Sequence, residues 1–161
     1  MKTLARLGSA LLIAGFLASC TFPRSALKPG DKISGMELTT SFERNIHELC
    51  SFDALFEGTC VIPVSASPIG ISTGWSEDTA EALELAWSDS EWTMTIDGQQ
   101  VHLPSFGTFD LPFGGQQARV WDVGLLNLSP GQHTVRYEFY LGKGSQPGNH
   151  TQLYAFTVEA R

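Results

Sequence analysis

Beyond residue 90 the apolar positions of this chain recur at every second residue, which is the period of a half-buried strand. Trp92-Thr-Met-Thr-Ile96 is followed by Asp97-Gly98 and then by Gln99-Gln-Val-His-Leu103. Asp-Gly between two alternating runs is the strongest short-range hairpin signal, because those residues accept the positive φ of a two-residue turn. The alternation predicts Trp92, Met94 and Ile96 on one side of the first strand, with Thr93 and Thr95 on the other. Further strands are expected at 118–128, 132–141 and 151–159, with Ser129-Pro130-Gly131 as a turn and 142–149 as a flexible loop. Several short strands separated by turn signals point to a mainly β domain built as an antiparallel sandwich.

Upstream the pattern weakens. Residues 35–73 read as irregular, with strand-like pieces at 36–42 and 60–65, and Pro63 places the second piece at a sheet edge or a bulge. Residues 76–90 predict the one helix. Ser76 is a good N-cap, Glu77 and Asp78 suit the first turn, and Ala80, Leu83, Ala86 and Trp87 recur at helical spacing. The other acidic residues, Glu81, Glu84, Asp89 and Glu91, read with Glu77 and Asp78 as a solvated face.

The run Leu128-Ser-Pro-Gly-Gln-His-Thr-Val-Arg-Tyr-Glu-Phe139, with Tyr154-Ala-Phe-Thr-Val158 after it, resembles the last hairpin of bacterial immunoglobulin-like domains. The order Gly74-Trp75, helix, Asp97-Gly98 and then this hairpin is similar to secreted bacterial domains over roughly residues 60–161. The resemblance implies an immunoglobulin-like β-sandwich with one inserted helix at about 76–90. It implies a fold, and a fold does not supply a function.

The first twenty residues concern the address. Lys2 and Arg6 precede an apolar run, Leu7 to Leu17, that ends in Leu17-Ala18-Ser19-Cys20. A basic head, a short apolar middle and small residues describe a cleaved secretory leader, and the run is shorter than the roughly 20 residues that span a bilayer. Leu-Ala-Ser-Cys resembles the lipobox of bacterial lipoproteins. That resemblance implies removal of residues 1–19, lipidation of Cys20 and attachment to a membrane of the cell envelope on its extracytoplasmic side. Thr21 after the cysteine implies the outer membrane where the cell has two. Residues 20–34, with Pro23, Ser25, Pro29, Gly30 and Ser34, read as a tether, and 35–161 as a single domain. Each buried lipid methylene contributes about 0.8 kcal/mol, so two or three acyl chains hold such a protein firmly.

Charge and cysteines fit export. The chain has 10 basic and 17 acidic residues. Loss of Lys2 and Arg6 with the leader leaves 8 against 17, a formal charge of −9. An acidic chain without a basic cluster cannot neutralise phosphates, so nucleic acid is excluded as a partner. Cys50 and Cys60 remain after Cys20 and are expected to form a disulfide in an oxidising compartment. The loop they close contains Phe52, Leu55 and Phe56 and reads as a core lid or as a presented binding loop, with the lid favoured.

Catalytic chemistry is not legible. His47, His102, His133 and His150 show no metal-ligand spacing and read as surface strand histidines, with His102 and His133 able to pair across a sheet. No nucleophile elbow is present, and Gly142-Lys-Gly-Ser145 lacks the spacing and the helix of a phosphate loop. No catalytic residue, metal or cofactor is assigned. The aromatic residues leave room for binding. Trp75, Trp87, Trp92 and Trp121 sit where a core would use them, whereas Phe106, Phe109 and Phe113 fall in a segment interrupted by Gly and Pro. Exposed loop aromatics serve protein and glycan contacts, although capping of the core is the favoured reading of these three and binding the alternative. The expectation is a lipid-anchored envelope module that binds an envelope protein or glycan. The alternatives are a small glycan enzyme or its accessory, and an inhibitor presenting a loop to a protease.

Overall fold

Hydrogen bonding sorts the strands of residues 25–160, the part that the computed structural model describes, into two open sheets. In chain order the elements are β1 (Lys32–Ile33), β2 (Met36–Thr39), β3 (Arg44–Asn45), α1 (Ile46–Leu49), α2 (Phe52–Glu57), β4 (Cys60–Pro63), β5 (Ile69–Glu77) and α3 (Ala80–Ser88). They continue with β6 (Ser90–Ile96), β7 (Gln99–Val101), β8 (Thr108–Phe113), β9 (Gln116–Leu126), β10 (Gly131–Leu141) and β11 (Gly148–Glu159). One sheet has the order β4-β11-β10-β6-β7. The other has the order β1-β2-β9-β5-β3, with β8 also paired to β9.

The expected alternation is clear in β10, where His133, Val135, Tyr137, Phe139 and Leu141 are buried and the residues between them are exposed. Val135 and Tyr137 of this row meet Met36, Leu38, Ile69, Ile71, Val123 and Leu125 of the other sheet in one apolar cluster. Burying a side chain of this size contributes about 1.5–3 kcal/mol, so the layer between the sheets is the main source of stability. The β6–β7 hairpin forms as the sequence predicts: Asp97 and Gly98 both take positive φ, and Met94 and Ile96 are fully buried.

Four expectations are corrected. The sheets are not purely antiparallel, because β4 runs parallel to β11 and β3 parallel to β5. There is not one helix: α1 and α2 fold within the stretch read as irregular, each opened by a side-chain cap, Asn45 for α1 and Ser51 for α2. The 76–90 helix begins later, because β5 continues through Glu77 in register with Gln117, and Thr79 rather than Ser76 caps α3. Finally, residues assigned to the tether belong to the fold. Leu27 bridges Val101, and Ile33 is fully buried. Pro63 is the last residue of β4, an edge strand, as its missing N–H requires.

Two features of the six-stranded sheet shape its outer face. β2 and β8 lie end to end along the same edge of β9, with Thr39 opposite Gly124 and Thr108 opposite Trp121. β3 lies on the far side, against β5, so residues 40–43 cross the outer face from edge to edge. Glycines make the crossing possible. A Cβ on Gly124 would collide with Thr39, and one on Gly70 would collide with the ring of Phe42.

Candidate functional site

The crossing segment and the start of β8 leave a cleft of about 370 Å3 between them. Thr40 and Phe42 form one wall, and Phe106, Gly107, Thr108 and Phe109 form the other. Asp122 of β9 also lines the cleft, at the gap where neither β2 nor β8 pairs with β9. Its position follows from the strand alternation, because Val123 points into the core and Asp122 points out, opposite Ser72 of β5. The Ser72 hydroxyl donates to Asp122 Oδ1 and itself accepts from Asn45 Nδ2. Burial pushes the Asp122 carboxyl above the ordinary carboxylate value, with the Ser72 hydrogen bond opposing. Among the described residues no cation pairs with it.

Beyond the cleft β8 and the first half of β9 form an arm. Every residue of β8 except Leu111 is exposed, Phe109 at 47% and Phe113 at 56%. Phe106 is half-buried and packs on the core, so the three candidate aromatics divide into one anchor and two exposed rings. One face of the arm is tied down. Arg119 grips Asp110 through two hydrogen bonds of 2.6 and 2.9 Å, donates to Glu84 of α3 at 2.9 Å, and lies 5.7 Å from the Trp87 ring. These contacts raise the Arg119 guanidinium well above its usual value and lower the Asp110 carboxyl. Phe109, Leu111 and Phe113 alternate with Asp110 and therefore line the opposite face.

The Cys50–Cys60 disulfide is present, with Cα atoms 5.8 Å apart. Its loop folds as α2, with Leu55 fully buried, Phe52 stacked on His47 at 4.1 Å and Phe56 edge-on to Tyr154 at 5.1 Å. This is packing of the lid kind. The tryptophans gather at one end of the core, where Trp87 lies 5.1 Å from Trp92 and 5.7 Å from Trp121, and Trp92 stacks on Phe139 at 4.3 Å.

The histidine reading needs correction at His133, which is buried and does not meet His102. His102 is exposed and bonds Ser105. His133 Nδ1 lies 2.8 Å from Asp97 Oδ2, and its Nε2 lies 3.4 Å from Ser129 Oγ. This order of side chains is that of a hydrolytic triad, but the bonds are otherwise engaged. Ser129 Oγ donates to the Ser34 carbonyl at 2.6 Å, and His133 Nε2 sits closer to the Ser129 carbonyl, at 2.9 Å. Asp97 also accepts from Thr134 N. Burial works to raise the Asp97 carboxyl, and bonds from Ser34, His133 and Thr134 outweigh it and lower the net value. The row ties three turns together. Glu77, read as solvated, is likewise buried, accepting from Trp75 Nε1 at 2.8 Å and from Ser145 N at 2.9 Å, which anchors the 142–149 loop.

Cys20 lies outside the described residues. Among those residues no helix is long and apolar enough to cross a membrane, and no group of three His, Cys, Asp or Glu is arranged to hold a metal ion.

Neither a protein-family model nor a curated protein matches the chain. Among solved structures, a cysteine protease inhibitor from Entamoeba histolytica aligns with 62% of this chain and 84% of its own length, at 11% identity and a TM-score of 0.31. A likeness that slight carries no argument about fold or function.

Proposed function

We propose that this protein is a membrane-tethered binding module of the bacterial envelope, held by lipid on Cys20 and meeting its partner through the β8–β9 arm. The observation that carries the reading is the arm itself. It sets Phe109 and Phe113 on one exposed face, while the other face is fixed to α3 by Arg119. Large rings on a braced support lose little freedom when they bind, which is what makes aromatic side chains effective at interfaces. The Cys50–Cys60 bond suits an oxidising compartment, and the lipobox-like Leu17-Ala18-Ser19-Cys20 supports the anchor. We read the two packed sheets as an immunoglobulin-like arrangement altered by parallel edge strands and three helices.

The test is a crosslinked pull-down of the membrane-held protein, with bound species identified by mass spectrometry. A stoichiometric envelope protein that is lost with Phe113→Ser supports the reading. Retention of the same partner by Phe113→Ser removes the arm from it, and a co-purifying glycan in place of protein returns weight to the carbohydrate alternative. Cys20→Ala is expected to release the protein from membranes or to stall its processing. A variant that stays with the membrane fraction places the anchor elsewhere.

A further inference from the structure

We propose that the cleft between the crossing segment and β8 binds an organic ammonium group, with Asp122 as its counter-ion and Phe42, Phe106 and Phe109 as its walls. This deepens the binding reading by naming a ligand class, and it rests on that reading only in taking Phe109 as a binding residue.

The chemistry follows from what lines the cleft. Aromatic faces attract cations through their ring quadrupole, most strongly where water is displaced. Three phenylalanines surround the space, and a single half-buried carboxylate faces it. Asp122 is held at Oδ1 by the Ser72 hydroxyl, which in turn accepts from Asn45 Nδ2, and no described residue bonds its Oδ2. The nearest guanidinium in sequence, Arg119, is committed to Asp110 and Glu84 on the other face of the sheet. Burial raises the Asp122 carboxyl because no cation offsets the lost hydration, and an ammonium ligand would supply that missing charge.

Other ligand classes fit worse. A hard metal ion needs six or more oxygen donors, whereas this cleft offers one carboxylate, two threonines and hydrocarbon rings. An anion would face Asp122 directly, and a neutral apolar group would bury the carboxylate without compensation. The volume lies at the lower end of the range for small-ligand sites. The net charge, −7 for the full sequence and −9 without residues 1–19, also favours the approach of a cation. The same chemistry is presented by a quaternary amine such as a choline headgroup and by a lysine side chain of a protein.

The probes are choline, Nα-acetyl-lysine methylamide and 3,3-dimethylbutan-1-ol, the neutral isostere of choline. Each is titrated against the 15N-labelled full processed chain in a maltoside detergent, which carries no choline headgroup, and read by NMR. Expected is saturable movement of the amides of Gly107, Thr108, Phe109 and Asp122 with at least one cation and none with the isostere. Tighter choline binding identifies a quaternary headgroup, and tighter lysine binding identifies a protein side chain. Asp122→Asn should weaken binding at least tenfold and Phe109→Leu severalfold, while Phe113→Ser leaves it unchanged even where it abolishes partner capture. Should Asp122→Asn not fold, the wild-type affinity must fall on acidification as Asp122 takes up its proton. Equal binding of the isostere, unchanged binding by Asp122→Asn, a flat pH profile or no binding of either cation overturns the proposal.

Discussion

The Cys50–Cys60 loop and the β8–β9 arm display almost equal amounts of aromatic surface and use it differently. Phe52 and Phe56 are 45% and 52% exposed, and Phe109 and Phe113 are 47% and 56% exposed. The difference lies beneath the rings. Phe52 stacks on His47, Phe56 meets Tyr154 edge-on, and Leu55 between them is fully buried. Among the described residues no ring packs against Phe109 or Phe113 by stacking or edge contact. Exposure alone therefore does not distinguish a lid from a binding surface; the contacts of the covered half do. The lid is closed by a covalent bond and core packing, whereas the arm is held by its strand pairing and, on one face, by the Arg119 guanidinium.

Leu55→Ala strikes the lid where it enters the core and carries the largest expected effect. Removal of a fully buried leucine costs about 2–5 kcal/mol, read as a lower midpoint in urea. A loss below about 1 kcal/mol would make the loop peripheral and erase the contrast with the arm. Replacing Cys50 and Cys60 by serine opens a loop of sequence separation 10 and should cost about 3 kcal/mol, with the melting temperature falling accordingly. The arm amides should keep their exchange protection in the fraction that remains folded.

The lid and the arm were unequally legible in the sequence. The β6–β7 hairpin and the long strands β9, β10 and β11 were visible because their alternation and turn chemistry are local. The disulfide followed from counting cysteines. The parallel pairs of β3 and β4 carry no turn between partners, so nothing local announces them. Glu77 read as a helix start because the groups that bury it, Trp75 Nε1 and Ser145 N, include one from 68 residues away. The sequence singles out Phe106 and Phe109 but gives no sign of Phe42 or Asp122. Only the crossing of residues 40–43 over Gly124 and Gly70 brings those two to the same cleft, and that is a property of strand order. Asp97 and His133 meet for the same reason, because β6 and β10 are neighbours in one sheet and the β6–β7 turn therefore lies beside the start of β10.

Arg119→Ala tests the arm's tie. The guanidinium is a third or less exposed and grips Asp110 with two bonds, so its loss should cost about 1 kcal/mol, more than a fully solvated pair. Hydrogen exchange should quicken in β8 and stay unchanged in α2. Faster exchange in both would mean that the two regions open together.

Acid should loosen the two regions in sequence. Burial lowers the His47 imidazole below its ordinary 6.5, so the unfolded chain takes up this proton more readily than the folded one. The stability it contributes is complete above that value and declines as the pH falls below 6.5 toward the lowered value. The Asp110 carboxyl is lowered from 3.8, mainly by the Arg119 hydrogen bond, and its contribution begins to fall only below 3.8. Exchange protection in 46–57 should therefore decline first on acidification and that of 108–113 later. The reverse order would show that His47 is not held neutral by its packing.

The smallest expected effect on stability belongs to Phe113→Ser. More than half of the ring is already in water, it lies outside the apolar cluster, and its strand is an outer one. Substitutions at such positions change stability by about 0.5 kcal/mol or less. The variant should melt within a degree or two of the parent while losing the crosslinked partner. Phe56→Ser is its matched control at nearly the same exposure, and the loss of the Tyr154 contact should make it measurably destabilising. If the two substitutions destabilise equally, the Phe113 ring is packed rather than presented, and the binding surface must be sought away from the arm.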